Sequence, residues 1–467
     1  MSPHEHGGSE HLRKEAEKEA RAAADEVYRG ILARAPEHEI DPSFDRTLAV
    51  MELLGDPQKA YRVVHVTGTN GKTSTTRMIE RLLREHGLRT GRFTSPHLAD
   101  IRERISLDGE PLAPGRFVAV YEEVLPYLDL VDARLAEQHR PRLTYFEVLV
   151  AMAYAAFADA PVDVAVVEVG MGGAWDATNV ADGEVAVLTP IGVDHERFLG
   201  RDVATIAAEK AGIIKPGAVA VVAAQEPEAA DVLLAHAARV GARALVEGAH
   251  FGVVRREVAV GGQLLGIGGL GGGYDDIFLP LHGPHQGQNA AVALAAVETF
   301  LGGDPDGTVA RLDPDAVRAA FAGVDSPGRL EVVRRSPVIL VDAAHNPAGA
   351  RALAEAVPDA FTFTRLVGVV AVLSDKDHYG ILEALEPILD EVVVTRSSSR
   401  RSTLPEDLFE AAAEVFGEHR VTLAQRLDAA IDAAATLAEG DGRPGSGVLV
   451  TGSITLVADA RRLLGVR

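Results

Sequence analysis

The chain has 467 residues and a formal net charge of −22, from 46 Lys and Arg against 68 Asp and Glu. So acidic a chain argues against nucleic-acid binding as its main function, because a phosphate backbone needs a basic face, although a local cluster of donors can still hold a small anion. Hydrophobic residues make up 47% and charged residues 24%, which indicates a globular chain of two or three domains, and the absence of cysteine excludes disulfides, thiolate zinc sites and cysteine nucleophiles.

The first 35 residues are rich in Glu, Lys, Arg and Ala and contain no apolar segment of the kind that a secretory signal requires. We expect residues 1–35 to be a mobile polar leader that contains an exposed helix over residues 12–32. His4, His6 and His11 lie in the same segment. They permit a metal-binding tract as an alternative, but a solvated leader is the more common role of such a terminus.

From residue 61 onward, short β-branched runs alternate with segments of helical periodicity. Near-continuous apolar strands between helices indicate a parallel sheet covered on both faces. The Gly-rich residues 248–276 contain aliphatic residues throughout and predict β-hairpins rather than a linker. The predicted strands of this region cover 61–66, 90–94, 162–170 and 185–191, and its predicted helices cover 75–86, 114–128, 145–157, 289–300 and 314–321.

The βα alternation restarts after a turn at residues 325–328. Its predicted strands cover 338–341, 367–373, 391–395 and 447–451, and its predicted helices cover 348–356, 379–385, 405–416 and 456–464. The sequence therefore predicts an α/β protein with two folded domains. We expect a P-loop central domain with a parallel sheet over residues 36–324, and a smaller Rossmann-like C-terminal α/β domain over residues 325–467.

Residues 67–74, TGTNGKTS, lie between a predicted strand and a predicted helix. Glycines let backbone N–H groups wrap phosphate oxygens, the helix N-terminus adds a partial positive charge, and Lys72 adds a full one. The spacing departs from the Walker pattern, because the first glycine of that pattern would fall at Val66 and the glycines here are Gly68 and Gly71. A flexible turn is the alternative, but the strand–loop–helix context favours a nucleotide-binding loop.

Acidic and imidazole side chains follow three predicted strands: Glu168, the pair Asp194 and His195, and the pair Asp342 and His345. Ligands of open α/β sheets collect at the carboxyl ends of the strands. A carboxylate within an apolar run is costly unless it is paired or binds a metal, so Glu168 is predicted to be a magnesium ligand near the γ-phosphate. A buried ion pair is the alternative for Glu168, and a lone histidine such as His195 often only satisfies a backbone group.

Eight motifs occur together and in order along the chain: HVTGTNGKTST, TSPHL, TYFEVL, VVEVGMGG with WDATNV, IAAEKAGIIKPG, HQGQNA, SPGRLE and DAAHNPAGA. In this combination the chain resembles the folylpolyglutamate synthase/dihydrofolate synthase family of the Mur ligase superfamily, and most of all its actinobacterial bifunctional type. The resemblance runs from about residue 41 to the C-terminus. It implies Mur-ligase-like central and C-terminal domains, and an ATP-dependent amide ligase that adds L-glutamate to dihydropteroate, to the γ-carboxylate of tetrahydrofolate, or to both, through an acyl phosphate.

The resemblance also implies the site residues. The implied ATP-binding residues are Thr69, Asn70, Gly71, Lys72, Thr73, Ser74, Asn289, Arg329 and Asp342. Two Mg²⁺ ions are implied, with Ser95, Glu168 and His195 as ligands and Thr73 as a competing hydroxyl ligand. The implied residues at the pterin end of the substrate are Phe146, Asp176 and Ala177. The residues implied in catalysis are Lys72, Glu168, His195, Lys210 and His345, with Lys210 carbamylated to N6-carboxylysine.

Reasoning from the residues alone leaves an alternative at several of these positions. An unmodified Lys210 can pair with its neighbour in the sequence or bind phosphate directly, and Phe146 can belong to a helix core. Arg329 can form a salt bridge in the inter-domain connection, and Asp342 can close an Asx-type turn. Ala174 stands where close relatives often carry arginine, so one substrate contact is expected to be missing here.

The implied partners are ATP, L-glutamate and dihydropteroate or a reduced folate, with no nucleic acid, no membrane and a monomeric chain. Apolar stretches such as 162–169 and 366–374 have strand length, short of the roughly 20 residues that a bilayer helix needs, and a cytoplasmic location is expected. Two other functions compete. A ligase of muramyl peptides would carry a sizeable UDP-binding domain before Thr67, where only 66 residues stand. A P-loop regulatory ATPase would not need the second α/β unit.

Overall fold

The computed structural model describes residues 4–34, 42–302, 309, 311–440, 442 and 444–466. The side chains of His4, His6 and His11 lie outside the described part, so the metal-tract alternative at the N-terminus stays open. None of the described helices combines the length and the apolarity that a bilayer span demands. The described chain forms three sheets, of eight, three and six strands.

The eight-stranded sheet is mainly parallel. Its strands are β1 (Arg62–Thr67), β2 (Thr90–Phe93), β3 (Ile105–Leu107), β4 (Glu110–Pro111), β5 (Val164–Glu168), β6 (Val185–Leu188), β7 (Val219–Val222) and β8 (Arg243–Val246). They are arranged in the order β4-β3-β2-β5-β1-β6-β7-β8, with β3 and β4 antiparallel at one edge and the other neighbouring pairs parallel. The four predicted strands of this region and the parallel sheet are confirmed, whereas the short strands β3, β4, β7 and β8 were not predicted.

Helices cover both faces of this sheet. They are α1 (His4–Leu32), α2 (Asp45–Leu53), α3 (Lys72–Glu85), α4 (Pro114–Glu137), α5 (Tyr145–Asp159), α6 (Glu196–Leu199), α7 (Val203–Lys210), α8 (Pro227–Val240), α9 (Pro284–Leu301) and α10 (Pro314–Ala322). Alternate residues of β1 point to opposite faces, as the strand period of two requires. Val64 therefore packs in one core with Ile79 of α3, and Val63 packs in the other core with Leu149 of α5.

The Gly-rich region forms a small antiparallel sheet of three strands. They are β9 (Gly252–Ala259), β10 (Gly262–Gly268) and β11 (Gly273–Leu279), in the order β11-β10-β9. Leu265, Ile267 and Ile277 are fully buried in the same core as α3 and α9. The prediction of hairpins here is confirmed, because these aliphatic side chains give the sheet an apolar face to bury.

The six-stranded sheet forms a second α/β unit. Its strands are β12 (Glu331–Arg335), β13 (Val338–Val341), β14 (Arg365–Val370), β15 (Glu391–Val394), β16 (Val421–Leu423) and β17 (Ser446–Thr451). The order is β12-β13-β17-β14-β15-β16, with only β12 antiparallel. Its helices are α11 (Pro347–Ala360), α12 (His378–Leu385), α13 (Pro405–Phe416), α14 (Leu427–Glu439) and α15 (Ile454–Leu463). The predicted Rossmann-like unit is confirmed. We call α1–α10 with β1–β11 the N-terminal lobe, and α11–α15 with β12–β17 the C-terminal lobe.

The N-terminal helix α1 corrects one expectation. It is helical where a helix was expected, but one stripe of its second half is buried: Ile31 is completely buried and Ala24 is 4% exposed, both in the core with α4 and α5. Just beyond α1, Nη1 of Arg34 donates to Oδ2 of Asp132 on α4 at 2.7 Å. The Glu- and Lys-rich composition hid this because only one stripe of a helix needs to be apolar to pack. The predicted limits of the leader and of the two domains stay predictions.

The burial of α1 can be tested by a pair of neighbouring substitutions. Ile31→Ala removes a fully buried side chain and should lower the free energy of unfolding by about 2–5 kcal/mol. The matched control is Leu32→Ala, because Leu32 is 51% exposed and should change stability by no more than about 0.5 kcal/mol. Urea unfolding followed by circular dichroism measures both. Equal effects of the two variants would show that α1 does not belong to the core of the N-terminal lobe.

Candidate active site

The loop between β1 and α3 is built around two glycines. A side chain on Gly68, whose φ is +146°, would overlap the hydroxyl of Thr189 at the end of the neighbouring strand. A Cβ on Gly71, whose φ is +87°, would lie 2.6 Å from Oδ1 of Asn289 on α9. Only glycine fits such backbone conformations and contacts without strain. The loop therefore curls tightly before α3, and Lys72 becomes the first residue of that helix.

Two lysines converge on one backbone oxygen of this loop. Nζ of Lys72 donates to the carbonyl of Gly68 at 3.1 Å, and Nζ of Lys210, at the end of α7, donates to the same oxygen at 2.8 Å. Both amines are buried. Burial lowers the pKa of Lys72, and burial together with the charge of Lys72 lowers the pKa of Lys210 to about 7. The neutral form of Lys210 is thus well populated at neutral pH, unlike that of a surface lysine.

Glu168 lies directly beside the phosphate-loop strand. In the sheet register it is opposite Val66, two residues before Gly68. Its Oε1 accepts a hydrogen bond from the hydroxyl of Thr73 at 2.9 Å, and its Oε2 accepts one from the backbone N–H of Ser95 at 3.3 Å. Burial raises the pKa of Glu168, while the charge of Lys72 and the hydrogen bond from Thr73 oppose that rise. No salt bridge engages this carboxylate within the described residues, so the alternative of a structural ion pair is not favoured.

The donor set around Glu168 suits a hard cation. A carboxylate and hydroxyl groups are the oxygen ligands that Mg²⁺ prefers, and Mg²⁺ commonly takes few protein ligands and completes its shell with water and substrate phosphates. In the described part of the chain, no group of three or more His, Cys, Asp or Glu side chains could hold a metal by itself. The residues therefore fit a magnesium ion that arrives with a triphosphate, and they do not form a metal cage of their own.

Asp194 is the centre of a charged cluster between the two lobes. Nζ of Lys376 donates to its Oδ1 at 2.5 Å, the amide of Asn346 donates to its Oδ2 at 3.1 Å, and Nε2 of His345 lies 3.6 Å from that oxygen. Burial acts to raise the pKa of Asp194, but its polar contact with His345 and the charge of Lys376 hold that pKa well below its usual range. Lys376 was not predicted, because it lies in the loop beyond the end of β14 and meets Asp194 only through the tertiary fold.

Further contacts join the loop to the C-terminal lobe. The side-chain amides of Asn70 and Asn346 form a reciprocal pair, at 3.3 and 3.1 Å. The hydroxyl groups of Ser74 and Ser326 lie 3.0 Å apart. The phosphate loop therefore faces a cleft that neither lobe forms alone.

The cleft encloses a cavity of about 370 Å³. Most of the sequence-predicted site residues line it: Thr69, Asn70, Gly71, Lys72, Thr73, Ser95, Phe146, Glu168, Asp176, Ala177, His195, Arg329 and His345. His195 begins the short helix α6 with a left-handed backbone at φ +54°, and burial lowers its pKa to about 3, so the imidazole is neutral. The structure therefore brings residues from four motifs of the N-terminal lobe and two of the C-terminal lobe to one space.

Four predicted residues are placed behind the wall of this cavity. They are Ser74, Lys210, Asn289 and Asp342. Ser74 contacts Ser326, and Asn289 packs against Gly71 rather than in open space. Both carboxylate oxygens of Asp342 accept backbone N–H groups, from Leu330 and Ala344, at 2.8 Å each. Asp342 thus closes the turns around it, as the Asx-type alternative predicts, and its role toward ribose stays a prediction.

Comparison with known proteins identifies the family. Residues 123–297 match the Mur ligase middle domain, and residues 328–454 match the Mur ligase, glutamate ligase domain. The dihydrofolate synthase/folylpolyglutamate synthase of Mycobacterium tuberculosis is 52% identical over 450 residues, which cover 92% of each chain. The chain belongs to the folylpolyglutamate synthase/dihydrofolate synthase family. This membership disfavours both the muramyl-peptide ligase and the regulatory ATPase.

Solved structures of this family share the whole architecture. Mycobacterium tuberculosis folylpolyglutamate synthase complexed with ADP superposes with a TM-score of 0.91 at 51% identity, covering 96% of this chain and 99% of that one. An FPGS–AMPPCP–folate complex superposes with a TM-score of 0.81 at 30% identity, covering 94% and 99%. The expected fold, an α/β P-loop domain followed by a Rossmann-like domain, is therefore that of the family.

Aromatic side chains form part of the cavity wall. Phe146 is half-buried on α5 and lines the cavity, where its ring packs 5.8 Å from that of Phe93, centroid to centroid. It is thus both a cavity residue and part of a core. Trp175 and Phe198 line the same cavity but were not predicted, because an isolated aromatic residue in a loop or in a four-residue helix carries no spacing signal.

A chain of buried hydrogen bonds holds the side chain of Asp176 in place. The hydroxyl of Thr178 donates to Oδ1 of Asp176 at 2.5 Å, so its oxygen accepts from Nε2 of His65, 2.9 Å away. Oδ2 of Asp176 accepts the N–H of Met171 at 2.9 Å. Burial lowers the pKa of His65 to about 3, which keeps the ring neutral. His65 was missed because it lies inside a strand and before the loop that the motif marks.

The buried state of His65 predicts a pH effect on stability. Between pH 6.5 and about 3 the unfolded chain binds a proton at this position and the folded chain does not, so the stability falls as the pH falls below 6.5. His65→Gln should make the slope of unfolding free energy against pH shallower by about 1.4 kcal/mol per pH unit in the lower part of that window. Urea unfolding from pH 6.5 to 4.5 measures it. The exposed control His419→Gln should leave the slope as it is, and an unchanged slope in His65→Gln would contradict the assignment.

Proposed function

We propose that this protein is an ATP-dependent ligase that joins L-glutamate to the carboxylate of dihydropteroate, of a reduced folate, or of both. The observation that carries the proposal is the inter-lobe cavity, where the phosphate loop and Glu168 face Arg329, His345 and Lys376 across the cleft. Family membership, relatives that are named for both activities, and a related complex with AMPPCP and folate support the choice of substrates. Because all these residues come from one chain, the functional unit is proposed to be a monomer.

The chemistry explains why such a cleft is needed. A carboxylate does not react with an amine at neutral pH, because its oxygen is a poor leaving group. Transfer of the γ-phosphoryl group of ATP to that oxygen gives an acyl phosphate and ADP, and attack by the amine of glutamate then releases phosphate. Three anionic groups must meet during this sequence, so catalysis consists mainly of charge neutralisation and positioning.

The N-terminal lobe supplies the first set of positive groups. The amide of Gly71 and the N-terminus of α3 would surround the phosphates, and Lys72 would add its charge. The N–H groups of Thr69 and Asn70 donate to the carbonyl of Pro190, so these two residues would reach the nucleotide through their side chains. Its present bonds to backbone carbonyls of the loop hold the ammonium group where a phosphate oxygen can replace them. Thr73 and Ser74 complete this loop, and Asn289 fixes the loop from behind by its contact with Gly71.

The C-terminal lobe supplies the second set. Arg329 is proposed to reach the phosphates, and His345 to position the acyl phosphate or the incoming glutamate. The carboxylate of Asp342 is close enough to feel the positive charge of Arg329, and it is proposed to accept from ribose. Closure of the two lobes would bring these groups to the nucleotide.

Magnesium would be held mainly by Glu168. Thr73 is the hydroxyl ligand that the structure supports best, because its Oγ1 already contacts the carboxylate, whereas Ser95 contacts it through the backbone. Ser95 and His195 remain candidate ligands on the same cavity wall, His195 for a second ion. When bound, Mg²⁺ neutralises the phosphate oxygens and makes phosphoryl transfer easier.

Lys210 is proposed to be carbamylated. Its neutral amine would attack carbon dioxide, forming a nitrogen–carbon bond and releasing one proton to solvent. The product is an anion beside Lys72. Two amines that converge on one carbonyl thereby become a pair of opposite charges, the carbamate of Lys210 and the ammonium of Lys72. That anion would face the cation-rich side of the phosphate loop and serve as a built-in ligand for the second magnesium ion.

The pterin end of the substrate is proposed to lie between Phe146 and the loop that carries Asp176 and Ala177. Phe146 offers a ring face, and Asp176 is held rigidly by the chain from His65. Trp175 and Phe198 extend the aromatic wall. Ala174 leaves this loop without the arginine of close relatives, so selectivity must come from these groups.

The ligase can be tested by the co-substrate dependence of ATP turnover. The purified protein should form ADP through repeated turnovers only when L-glutamate and either dihydropteroate or tetrahydrofolate are both present. Glu168→Gln should lower the rate on the order of 10²–10³-fold, because it removes the main magnesium ligand, while Glu123→Gln, on the exposed face of α4, should not. Sustained ADP formation without glutamate, or an unchanged rate in Glu168→Gln, would overturn the proposal.

The carbamate has a test of its own. Lys210→Ala should lower the ligation rate at least about tenfold, and acetate or formate should partly restore it by occupying the vacated space. In the wild type, ¹³CO₂ should give a carbamate signal in NMR that decreases below pH 7 as the amine becomes protonated. Lys59→Ala, an exposed lysine, is the control. A wild-type rate in Lys210→Ala together with no carbamate signal would refute the modification.

A further inference from the structure

A second cavity lies beside the connection between the lobes and has a volume of about 390 Å³. Five arginine side chains line it: Arg77, Arg81, Arg84, Arg92 and Arg461. We call it the arginine cavity. The first three are spaced by four and three residues, so they share one face of α3, while Arg92 comes from β2 and Arg461 comes from α15 of the other lobe. This clustering stands out in a chain whose net charge is −22.

Two glycines make room for the guanidinium groups. A Cβ on Gly109, at the turn between β3 and β4, would overlap Nη1 of Arg84. A Cβ on Gly323, just after α10, would lie 2.8 Å from Nη2 of Arg81. The backbone on two sides of the cavity thus closes directly on arginine head groups, which holds them in place at the cavity wall.

Carboxylates also line the cavity, but the inner ones are already engaged. Glu80 is 2% exposed and accepts from Nη1 of Arg92 at 3.0 Å. Glu103 accepts the backbone N–H groups of residues 98–100 at 2.8–2.9 Å. The other two, Glu110 and Asp325, are exposed at the rim. Four of the five arginines already have a carboxylate partner: Arg77 pairs with Asp325, Arg81 with Glu85, Arg92 with Glu80 and Arg461 with Glu331. The fifth, Arg84, has no carboxylate as close to it.

Several of the arginine N–H groups lack a partner. Within the described residues, Arg84 forms no hydrogen bond, and its nearest carboxylate oxygen, on Glu80, is 3.8 Å from Nε. Nε of Arg81 and Nε of Arg92 are buried without a partner, and the side chain of Arg92 is only 5% exposed. Buried donors of this kind cost free energy until an acceptor satisfies them.

We propose that the arginine cavity binds a small polyanion that carries two or more carboxylate or phosphate groups. Guanidinium groups match both kinds of oxyanion with paired hydrogen bonds, and the cavity volume lies in the range of small-molecule sites. The ligand would supply acceptors to Arg84, whose side chain is 29% exposed. The proposal is independent of the ligase reaction, because none of the five arginines lines the active-site cavity.

Both cavities share their walls. Helix α3 begins at Lys72 in the active-site cavity and continues to the three arginines, and α15 runs from Ile454 beside that cavity to Arg461. The inter-lobe segment likewise contributes Arg329 to one cavity and Asp325 to the other. A polyanion between α3 and α15 would therefore contact both lobes and stabilise their present arrangement.

Isothermal titration calorimetry on the full chain tests the site. The nucleotide loop is first saturated with AMPPCP, with Mg²⁺ matched in cell and syringe, and the probes are tripolyphosphate and tri-γ-L-glutamate. We expect one binding event per chain for at least one probe, weakening as salt is raised. The double variant Arg81→Gln/Arg84→Gln should lower that affinity roughly tenfold or more, since it removes charge-assisted hydrogen bonds. The control Arg255→Gln/Arg426→Gln removes the same charge at exposed positions and should bind normally.

Arg84→Lys keeps the charge without the planar fork and should give an intermediate affinity. Circular dichroism and AMPPCP affinity verify the fold of every variant, and Arg84→Lys replaces the double variant if the latter does not fold. Binding of tripolyphosphate alone supports a phosphate-bearing ligand, binding of the peptide alone supports a polycarboxylate, and binding of both supports recognition of charge. Failure of both probes to bind the wild type, or an undiminished affinity in a folded glutamine variant, would overturn the proposal.

Discussion

The carbonyl of Gly68 accepts hydrogen bonds from two buried lysines, and much of the site depends on that convergence. An acidic protein cannot attract anions by its overall field, so it must concentrate positive groups locally and isolate them from water. The tight loop achieves this, because its glycines allow Lys72 and Lys210 to approach one oxygen. The crowding in turn favours a neutral Lys210, which is the chemical requirement for its modification. Glu168, one strand away, then balances the remaining charge.

The division of the site between two lobes follows from the same need. Positive side chains of both lobes line the cavity, such as Lys72 of the N-terminal lobe and Lys376 of the C-terminal lobe. Asp194 lies in the loop that follows β6, in the N-terminal lobe. Its carboxylate binds Lys376 of the C-terminal lobe, so this cluster joins the two lobes. The amide pair of Asn70 and Asn346 makes the phosphate loop itself part of that contact. Nucleotide binding and lobe arrangement are therefore coupled through the same side chains.

Structural features are predicted well from the sequence when their residue pattern repeats or belongs to a motif. Long apolar strands, the helices between them, the phosphate loop and Glu168 are all recoverable, because their signals span several residues. Short edge strands such as β3 and β4 are not, since two or three residues carry no periodicity. The burial of Ile31 is hidden by a charged helix, and Lys376 and Trp175 become site residues only through tertiary contacts. Asp342 shows that a motif does not fix a residue's role, because the observed hydrogen bonds of this motif residue are all to the backbone.

The contact between Asn70 and Asn346 has a practical consequence when it is considered together with the composition. The chain contains no cysteine, so a thiol-reactive label attaches only at cysteines that are introduced on purpose. Labels attached near this amide pair, one on each lobe, would report their separation directly by electron spin resonance or fluorescence transfer. The protein is thus a ready-made background for watching its two halves open and close during turnover, with no native side chain to remove beforehand.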